Sequence, residues 1–247
     1  MQPAAFGQLA KSHGGDGSET GPQLILDLMN EPHSMPSADV LANLNAAVAA
    51  VRKLGLRNLL LLEGNDWTGL HAWTQGDGTN PPNSQVFTRA KIQDPMDHYA
   101  INVHQYLDED SSGSHEDCVP PSQIGAKLNF APFVSWMRSE GMRVFLSEFG
   151  APYNPDCISD EKLLMALVAN ASSAGGLSDP GFIGWTVWAA GHAWGNSYAF
   201  GVNAGDQAQA MVVAGLGEHL LPPDCSSPGF MLAFNGTPAG MSTSYSV

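Results

Sequence analysis

Short apolar runs alternate with helix-like patterns along most of the chain. Five of these runs have the length and composition of buried strands, and they span Gln23–Met29, Asn58–Glu63, Tyr99–Tyr106, Arg143–Glu148 and Phe182–Trp188. Strands that alternate with helices are typical of an α/β domain with a parallel sheet. We therefore predict an α/β fold.

Helical periodicity fills several of the intervals between these strands. From Ser37 to Gly55, apolar residues recur at the spacing of one helix face, with Ser37 as the predicted N-cap and Gly55 as the predicted C-cap glycine. Asp160 and Glu161 are predicted at the positive end of a later helix. Residues 222–247 are rich in Pro, Gly and Ser and predict an irregular tail. The further predicted helices are Phe130–Met137, Asp160–Ser173 and Asp206–Leu221.

Polar and aromatic residues concentrate at the carboxyl ends of the predicted strands. They are Asn30, Glu31, Glu63, His104, Tyr106, Glu148 and Trp188. In a (β/α)8 TIM barrel, this edge carries the active site. The pattern therefore predicts an α/β barrel with its site at that edge.

Five strands are fewer than the eight of a complete barrel, in which one β/α unit averages about 30 residues. Only 22 residues precede the first predicted strand. We therefore expect residues 1–247 to form a single, partial barrel domain. The first three units, on the order of 90 residues, would be missing from the front of this chain.

Composition and charge exclude several classes of protein and of binding partner. Hydrophobic residues make up 43% of the chain, which excludes general disorder. Ten basic residues against 24 acidic ones give a net charge of −14, which argues against binding to nucleic acid or to anionic membranes. The longest apolar runs, such as Leu59–Leu62, are far too short to span a membrane. A neutral partner fits this composition better.

Cysteine spacing and the start of the chain give weaker information. Cys118, Cys157 and Cys225 form no CxxC motif, so zinc-ribbon and thioredoxin interpretations fail. Spacing alone leaves open one disulfide with an odd thiol, or three thiols. Residues 1–15 lack the features of a signal peptide. Either the protein is not exported, or this is not the natural start of the chain.

Two strand-end carboxylates suggest a specific chemistry. Glu31 and Glu148 each end an apolar run. Such a pair can hydrolyse a glycoside, with one carboxyl group protonating the leaving oxygen while the other attacks the anomeric carbon. Each glutamate alone could equally cap a helix or lie solvated at a strand end. A Ser–His–Asp hydrolase is excluded because the sequence has no GxSxG-type nucleophile elbow.

The residues around the two glutamates resemble glycoside hydrolase family 5 of clan A. The similarity is carried by Asn30-Glu31-Pro32-His33 and by Ser147-Glu148-Phe149-Gly150-Ala151. It extends to the cellulase subgroup through Val103–Asp108, Ser112-Gly113, Cys118, Gly64–Gly69, His71-Ala72-Trp73 and Gly184–Gly191. These blocks cover roughly Pro22 to Phe200 in the family's order.

The resemblance implies a role for each matching residue at the reaction centre. Glu31 would be the general acid/base and Glu148 the nucleophile. Asn30 would hydrogen-bond the 2-hydroxyl of the sugar under attack. His104 would orient the acid/base, and Tyr106 would hold Glu148 in its attacking orientation.

The resemblance also implies an aromatic platform and a disulfide. Trp188 would form the floor under the reacting sugar. Trp67 and Trp73 would extend the platform, although each could equally pack within its loop. A Cys118–Cys157 disulfide is implied, which would suit an oxidising compartment. The family needs no metal and no organic cofactor.

These observations together lead to one expectation and three alternatives. We expect a retaining endo-β-1,4-glucanase that acts on cellulose or a related neutral β-linked polysaccharide, as a monomer, and outside the cell when full-length. The alternatives are a β-mannan hydrolase of the same family, a catalytically inactive carbohydrate-binding fragment, and a fragment that does not fold alone. The family's Arg near the second barrel strand and His near the third would precede this chain.

Overall fold

The structure is a computed structural model that describes residues 24–175, 179–190, 194 and 198–202, and the backbone of 231–233 and 244–246. The predicted helix Asp206–Leu221 lies outside the described residues. In chain order the elements are β1 (Leu26–Asp27), α1 (Ser37–Lys53), β2 (Leu60–Glu63), α2 (Asn83–Val86), β3 (Tyr99–Tyr106), α3 (Pro121–Leu128), α4 (Phe130–Ser139), β4 (Arg143–Gly150), α5 (Pro155–Asn170), β5 (Gly181–Trp185), β6 (Met231–Ala233) and β7 (Ser244–Ser246).

The first five strands form one sheet in the order in which they occur along the chain. β2 pairs in parallel with both β1 and β3, and Leu60 is in register with Leu26 on one side and with Tyr99 on the other. Every residue of β2 and β3 is buried. The predicted parallel α/β arrangement is confirmed for these strands.

The chain forms two compact units, and the boundary between them falls within the strands β3, β4 and β5. The first unit comprises Met1–Val103, Ala131–Phe145 and Ser173–Ile183. The second unit comprises His104–Phe130, Leu146–Ser172 and Gly184–Val247. The prediction of a single domain stays a prediction.

The first unit has its core on the sheet. Leu61, Ala100 and Phe145 form a buried cluster against which Ile25 and Ile183 pack. Burial of such apolar surface is the main favourable term in folding.

Helix α1 begins differently from the sequence prediction. Pro36 is the N-cap and Ser37 is the first helical residue, so the prediction of Ser37 as the cap is wrong. The Ser37 hydroxyl is buried and donates a hydrogen bond to the carbonyl of Pro81 at 3.0 Å instead. Gly55 follows the helix with φ +77°, so its predicted position after the helix is confirmed.

Helix α5, in the second unit, begins five residues before its predicted start. The Asn154 side chain accepts a hydrogen bond from the backbone N–H of Asp156, and Pro155 occupies the first turn. Asn is a strong N-cap and Pro is favoured at the first helical position. The prediction that Asp160 and Glu161 lie at the positive end of the helix is therefore wrong. Both residues are buried within the helix.

Several features of the fold were not predicted. The short helix α2 and the helix α3 lie in segments that contain turn-forming Pro, Gly and Asn residues. Asn129, in the left-handed conformation, separates α3 from α4. In the tail predicted to be irregular, the described residues are the antiparallel strands β6 and β7.

Candidate active site

The carboxylate of Glu148, near the end of β4, is held by residues of β3. The Tyr106 hydroxyl donates a hydrogen bond of 2.6 Å to Glu148 Oε2. Nδ1 of His104 lies 3.5 Å from the same oxygen. His104 and Tyr106 are two residues apart on one strand, so their side chains leave the same face. The predicted contact between Tyr106 and Glu148 is confirmed.

The imidazole of His104 is held at both ring nitrogens. Its Nε2 lies 3.0 Å from the Ser147 hydroxyl, while its Nδ1 faces Glu148. The Thr186 hydroxyl donates to the Ser147 carbonyl, and the Thr186 backbone N–H donates to the Leu146 carbonyl at 2.9 Å. These bonds fix the backbone that carries Glu148. The sequence pattern did not identify Ser147 or Thr186 as supports of this site.

The backbone of Glu31, in the first unit, is held by the side chain of Glu63. The backbone N–H of Glu31 donates to Glu63 Oε2 at 2.5 Å, and Glu31 itself has φ +47°. Glu63 Oε1 accepts a hydrogen bond from Asn102 Nδ2 at 2.9 Å, and the same nitrogen donates to Asp27 Oδ2 at 2.9 Å. Glu63 is therefore a strand-end hydrogen-bond partner of the Glu31 backbone.

One polar residue that supports the Glu31 backbone has a signal in the sequence. Asn102 lies within the wholly buried strand β3. A polar side chain inside a buried strand requires a hydrogen-bond partner, and therefore marks a network. Asn30, which directly precedes Glu31, is exposed.

The three predicted platform tryptophans differ in their surroundings. Trp67 is 49% exposed. Trp73 is fully buried and packs on Phe87, Phe133 and Trp136 at ring-centroid distances of 5.6, 6.1 and 5.1 Å. The prediction that Trp73 extends the platform is therefore wrong. It is a core residue, because the aromatic side chains of α4 close over it.

Trp188 lies in an aromatic group of the second unit. Its indole N–H donates to the Tyr198 hydroxyl at 3.1 Å. Trp194 contacts both rings, edge-on to Trp188 at 4.9 Å and stacked on Tyr198 at 4.8 Å. Burial raises the pKa of Tyr198, with a further contribution from the charge of Glu148, and the Trp188 hydrogen bond opposes this shift. Trp188 is half-buried, so part of its ring remains accessible.

The loop after β3 is closed around one buried carboxylate. Asp108 is fully buried and accepts hydrogen bonds from the backbone N–H groups of Gly113, Ser114 and His115 at 3.0–3.1 Å. Asp108 begins the acidic run Asp108-Glu109-Asp110, and its burial shows that this run is not wholly a solvated loop face. A disulfide joins Cys118, at the end of this loop, to Cys157 of α5, as the resemblance implied.

The same loop has a group of side chains whose spacing could hold a cation. Ligand atoms of Asp108, Asp110 and His115 lie within 4.8 Å of one another. The Asp108 carboxylate is already engaged by three backbone N–H groups, and the ring of His115 lies 3.1 Å from Asp110. These contacts explain why the three side chains lie close together: they hold the loop closed.

Comparison with known proteins identifies the family. The family model Cellulase (glycosyl hydrolase family 5) matches residues 11–193. Endoglucanase 1 of Robillarda sp. is 37% identical over 173 residues, which are 70% of this chain and 40% of that protein. Endo-beta-1,4-glucanase B of Emericella nidulans is 34% identical over 185 residues, which are 74% of this chain and 50% of that protein.

Solved structures agree with this assignment. An endo-beta-1,4-glucanase from Xanthomonas axonopodis pv. citri superposes with a TM-score of 0.69 at 30% identity, over 85% of this chain and 62% of that one. XacCel5A, solved in complex with cellopentaose, gives 0.69 at 31% identity, over 85% and 63%. The chain spans 40 to 50% of the length of the first curated relatives that it matches. The chain belongs to glycoside hydrolase family 5, and its strands β1 to β5 form part of that family's (β/α)8 barrel.

Proposed function

We propose that this protein is a retaining endo-β-1,4-glucanase that cleaves internal bonds of cellulose or a related β-glucan. Membership of the family supports this proposal, as do relatives named endoglucanases. The observation that carries it is the hydrogen bond from Tyr106 to Glu148 Oε2, because it restrains the rotation of the carboxylate that would attack the sugar.

In the first half of the reaction, Glu148 acts as the nucleophile and Glu31 as the acid. A carboxylate oxygen of Glu148 forms a bond to the anomeric carbon as the bond from that carbon to the glycosidic oxygen breaks. Glu31 donates its proton to that oxygen, and the leaving chain departs with a new hydroxyl group. The product on the protein is a glycosyl ester of Glu148.

In the second half of the reaction, water hydrolyses the glycosyl ester. Glu31, now ionised, removes a proton from the water as its oxygen attacks the anomeric carbon, and the Glu148 carboxylate leaves. Two inversions at the same carbon restore its original configuration. Asn30 would hold the 2-hydroxyl, His104 would orient the acid/base, and Trp188 would support the reacting ring. Trp67 would bind a neighbouring sugar.

The substrate and the setting follow from charge and from cysteine chemistry. A net charge of −14 suits a neutral glycan and repels polyanions. The Cys118–Cys157 disulfide suits an oxidising compartment, which supports action outside the cell. We propose that the protein acts there as a monomer. None of the helices that the structure describes has the length and apolar character needed to cross a bilayer.

Hydrolysis of carboxymethyl-cellulose by the protein, beside Glu148→Gln and Glu31→Gln, tests the proposal. The parent should release reducing ends, and each variant should lose at least about a thousandfold in kcat, since the two carboxyl groups act directly on the scissile bond. Proton NMR of the first products should show the β-anomer. The α-anomer first would contradict retention, and binding without turnover would favour an inactive carbohydrate-binding protein. Faster hydrolysis of β-mannan would indicate the mannan-type alternative.

A further inference from the structure

Trp67 is exposed to solvent on a loop whose other residues are buried or half-buried. The Thr68 hydroxyl accepts from the Gly64 N–H at 3.0 Å and donates to the Asn102 carbonyl at 2.6 Å. The Trp67 N–H donates to the Pro32 carbonyl at 3.2 Å. Asp66, Trp67 and Thr68 all have positive φ values, between 50 and 61°. Non-glycine residues adopt this conformation only where surrounding contacts enforce it, and such strain is concentrated at functional sites.

The indole of Trp67 is covered on one face by a histidine. The His33 ring lies parallel to it, with a centroid distance of 4.4 Å and an interplanar angle of 9°. Nδ1 of His33 lies 2.9 Å from the Ser34 hydroxyl, which fixes the edge of the ring. His33 and Trp67 are both exposed, so the stack stands at the surface of the first unit.

A stack of this kind presents one aromatic face of fixed orientation. Without His33, the indole could rotate about its two side-chain torsions, and a ligand would have to immobilise it on binding. The electron-rich face of an indole attracts the C–H groups of a sugar ring, as it does other positively polarised groups. A restrained tryptophan therefore recognises a flat sugar face at lower entropic cost.

We propose that His33 is a positioning residue that sets the plane of Trp67, the side chain that the proposed function assigns to a neighbouring sugar of the glucan chain. This inference rests on the proposed function and deepens it. His33 contributes to the recognition of the chain and not to bond cleavage.

Kinetics with cellopentaose on His33→Ala, His33→Phe and Trp67→Ala test the proposal. His33→Ala should raise KM roughly 3- to 10-fold with kcat within about twofold, the size expected for freeing one aromatic side chain. His33→Phe restores a flat ring and should return KM to the parent value. The double variant His33→Ala/Trp67→Ala should match Trp67→Ala alone, because His33 acts through the indole.

Two results would overturn the inference. One is an unchanged KM in His33→Ala, and the other is a loss in His33→Ala that His33→Phe does not recover. A structural role alone would lower the thermal midpoint of His33→Ala without separating KM from kcat. Should the parent bind cellopentaose without hydrolysing it, the proposed function fails, and the same variants are compared by dissociation constant. A parent that does not bind cellopentaose overturns both proposals.

Discussion

The phenolic oxygen of Tyr106 lies 2.6 Å from Oε2 of Glu148, and the bond links the last residue of β3 to the carboxylate near the end of β4. Tyr106 is itself restrained, since its ring packs edge-on against Phe200 at 5.7 Å. The orientation of the proposed nucleophile therefore depends on a buried ring.

Removal of the Tyr106 hydroxyl should slow the reaction without preventing substrate binding. A hydrogen bond to a charged group contributes about 1.5 to 3 kcal/mol, so Tyr106→Phe should lower kcat by about 10- to 100-fold. KM for cellopentaose should change much less. Tyr153→Phe is the matched control, because Tyr153 is 54% exposed and should leave kcat unchanged. Equal rates in Tyr106→Phe and the parent would show that the bond has no catalytic value.

Gly113 lies close to the ring of Tyr106. A substitution at Gly113 therefore gives a second way to disturb the orientation of Glu148. A Cβ at Gly113 would lie 3.0 Å from the Tyr106 ring, and its φ of +72° disfavours any other residue. Gly113→Ala should displace the ring and lower kcat by about 3- to 100-fold, since small misplacements of reacting groups are costly.

Gly125→Ala provides the control for the Gly113 variant. Gly125 lies inside α3, and a Cβ there would meet nothing within 4 Å. This substitution should stabilise the protein by about 0.5 to 1 kcal/mol and leave kcat unchanged. If Gly113→Ala keeps the parental kcat, the loop does not position Tyr106.

The disulfide should stabilise the fold by restricting the unfolded chain. Cys118 and Cys157 are separated by 39 residues, and a loop of that length corresponds to about 3 to 4 kcal/mol in the chain-entropy account. Cys118→Ser should therefore lower the thermal midpoint by several degrees, as measured by circular dichroism. Titration of the denatured protein should find one thiol before reduction and three after it, because the chain has three cysteines. Three thiols before reduction would exclude the disulfide.

The sequence was sufficient to predict elements that have a strong local pattern. β3 was predicted at its observed bounds, because its Tyr, Ile and Val residues favour a strand. β1 was predicted as seven residues but spans Leu26–Asp27, because it lies at the edge of the described sheet and bonds to β2 alone. Edge strands are often short, and no local pattern reveals which strand lies at the edge.

The candidate site was predictable where a motif fixes the residue, and not where burial depends on distant segments. Glu148 and Tyr106 were both placed correctly relative to each other. Trp73 was not, because its burial comes from Phe133 and Trp136, about 60 residues further along the chain. The stack of His33 on Trp67 was missed for the same reason, since it joins two loops of separate β/α units.

Two carboxyl groups of α5 should make stability depend on pH. Asp160 and Glu161 are buried, and none of their four carboxyl oxygens has a hydrogen-bond partner. Burial raises the pKa of Glu161 to about 8 and that of Asp160 to about 6. The charge of Asp156 adds to the shift of Asp160, and Lys127 of α3 opposes it.

The sign of this dependence follows from the raised pKa values. Below about pH 4 to 4.5, which is the range of their unfolded pKa values, both groups are protonated in the folded and in the unfolded state. Their contribution to the stability of the fold is greatest there. As the pH rises from there to about 8, the unfolded state ionises more readily, so stability falls across this window. We therefore expect the thermal midpoint to be higher at pH 5 than at pH 8.

Glu161→Gln should remove most of this decline, because an amide of similar shape does not ionise. The variant should unfold at a higher temperature than the parent at pH 8, and the difference should shrink toward pH 4.5. The exposed residue Glu116 gives the matched control, and Glu116→Gln should follow the parent at every pH. Calorimetry at four pH values between 4.5 and 8 measures the three curves. If the parent is more stable at pH 8 than at pH 5, or if Glu161→Gln keeps the parental slope, the buried carboxyl groups of α5 do not control the acid preference of the fold.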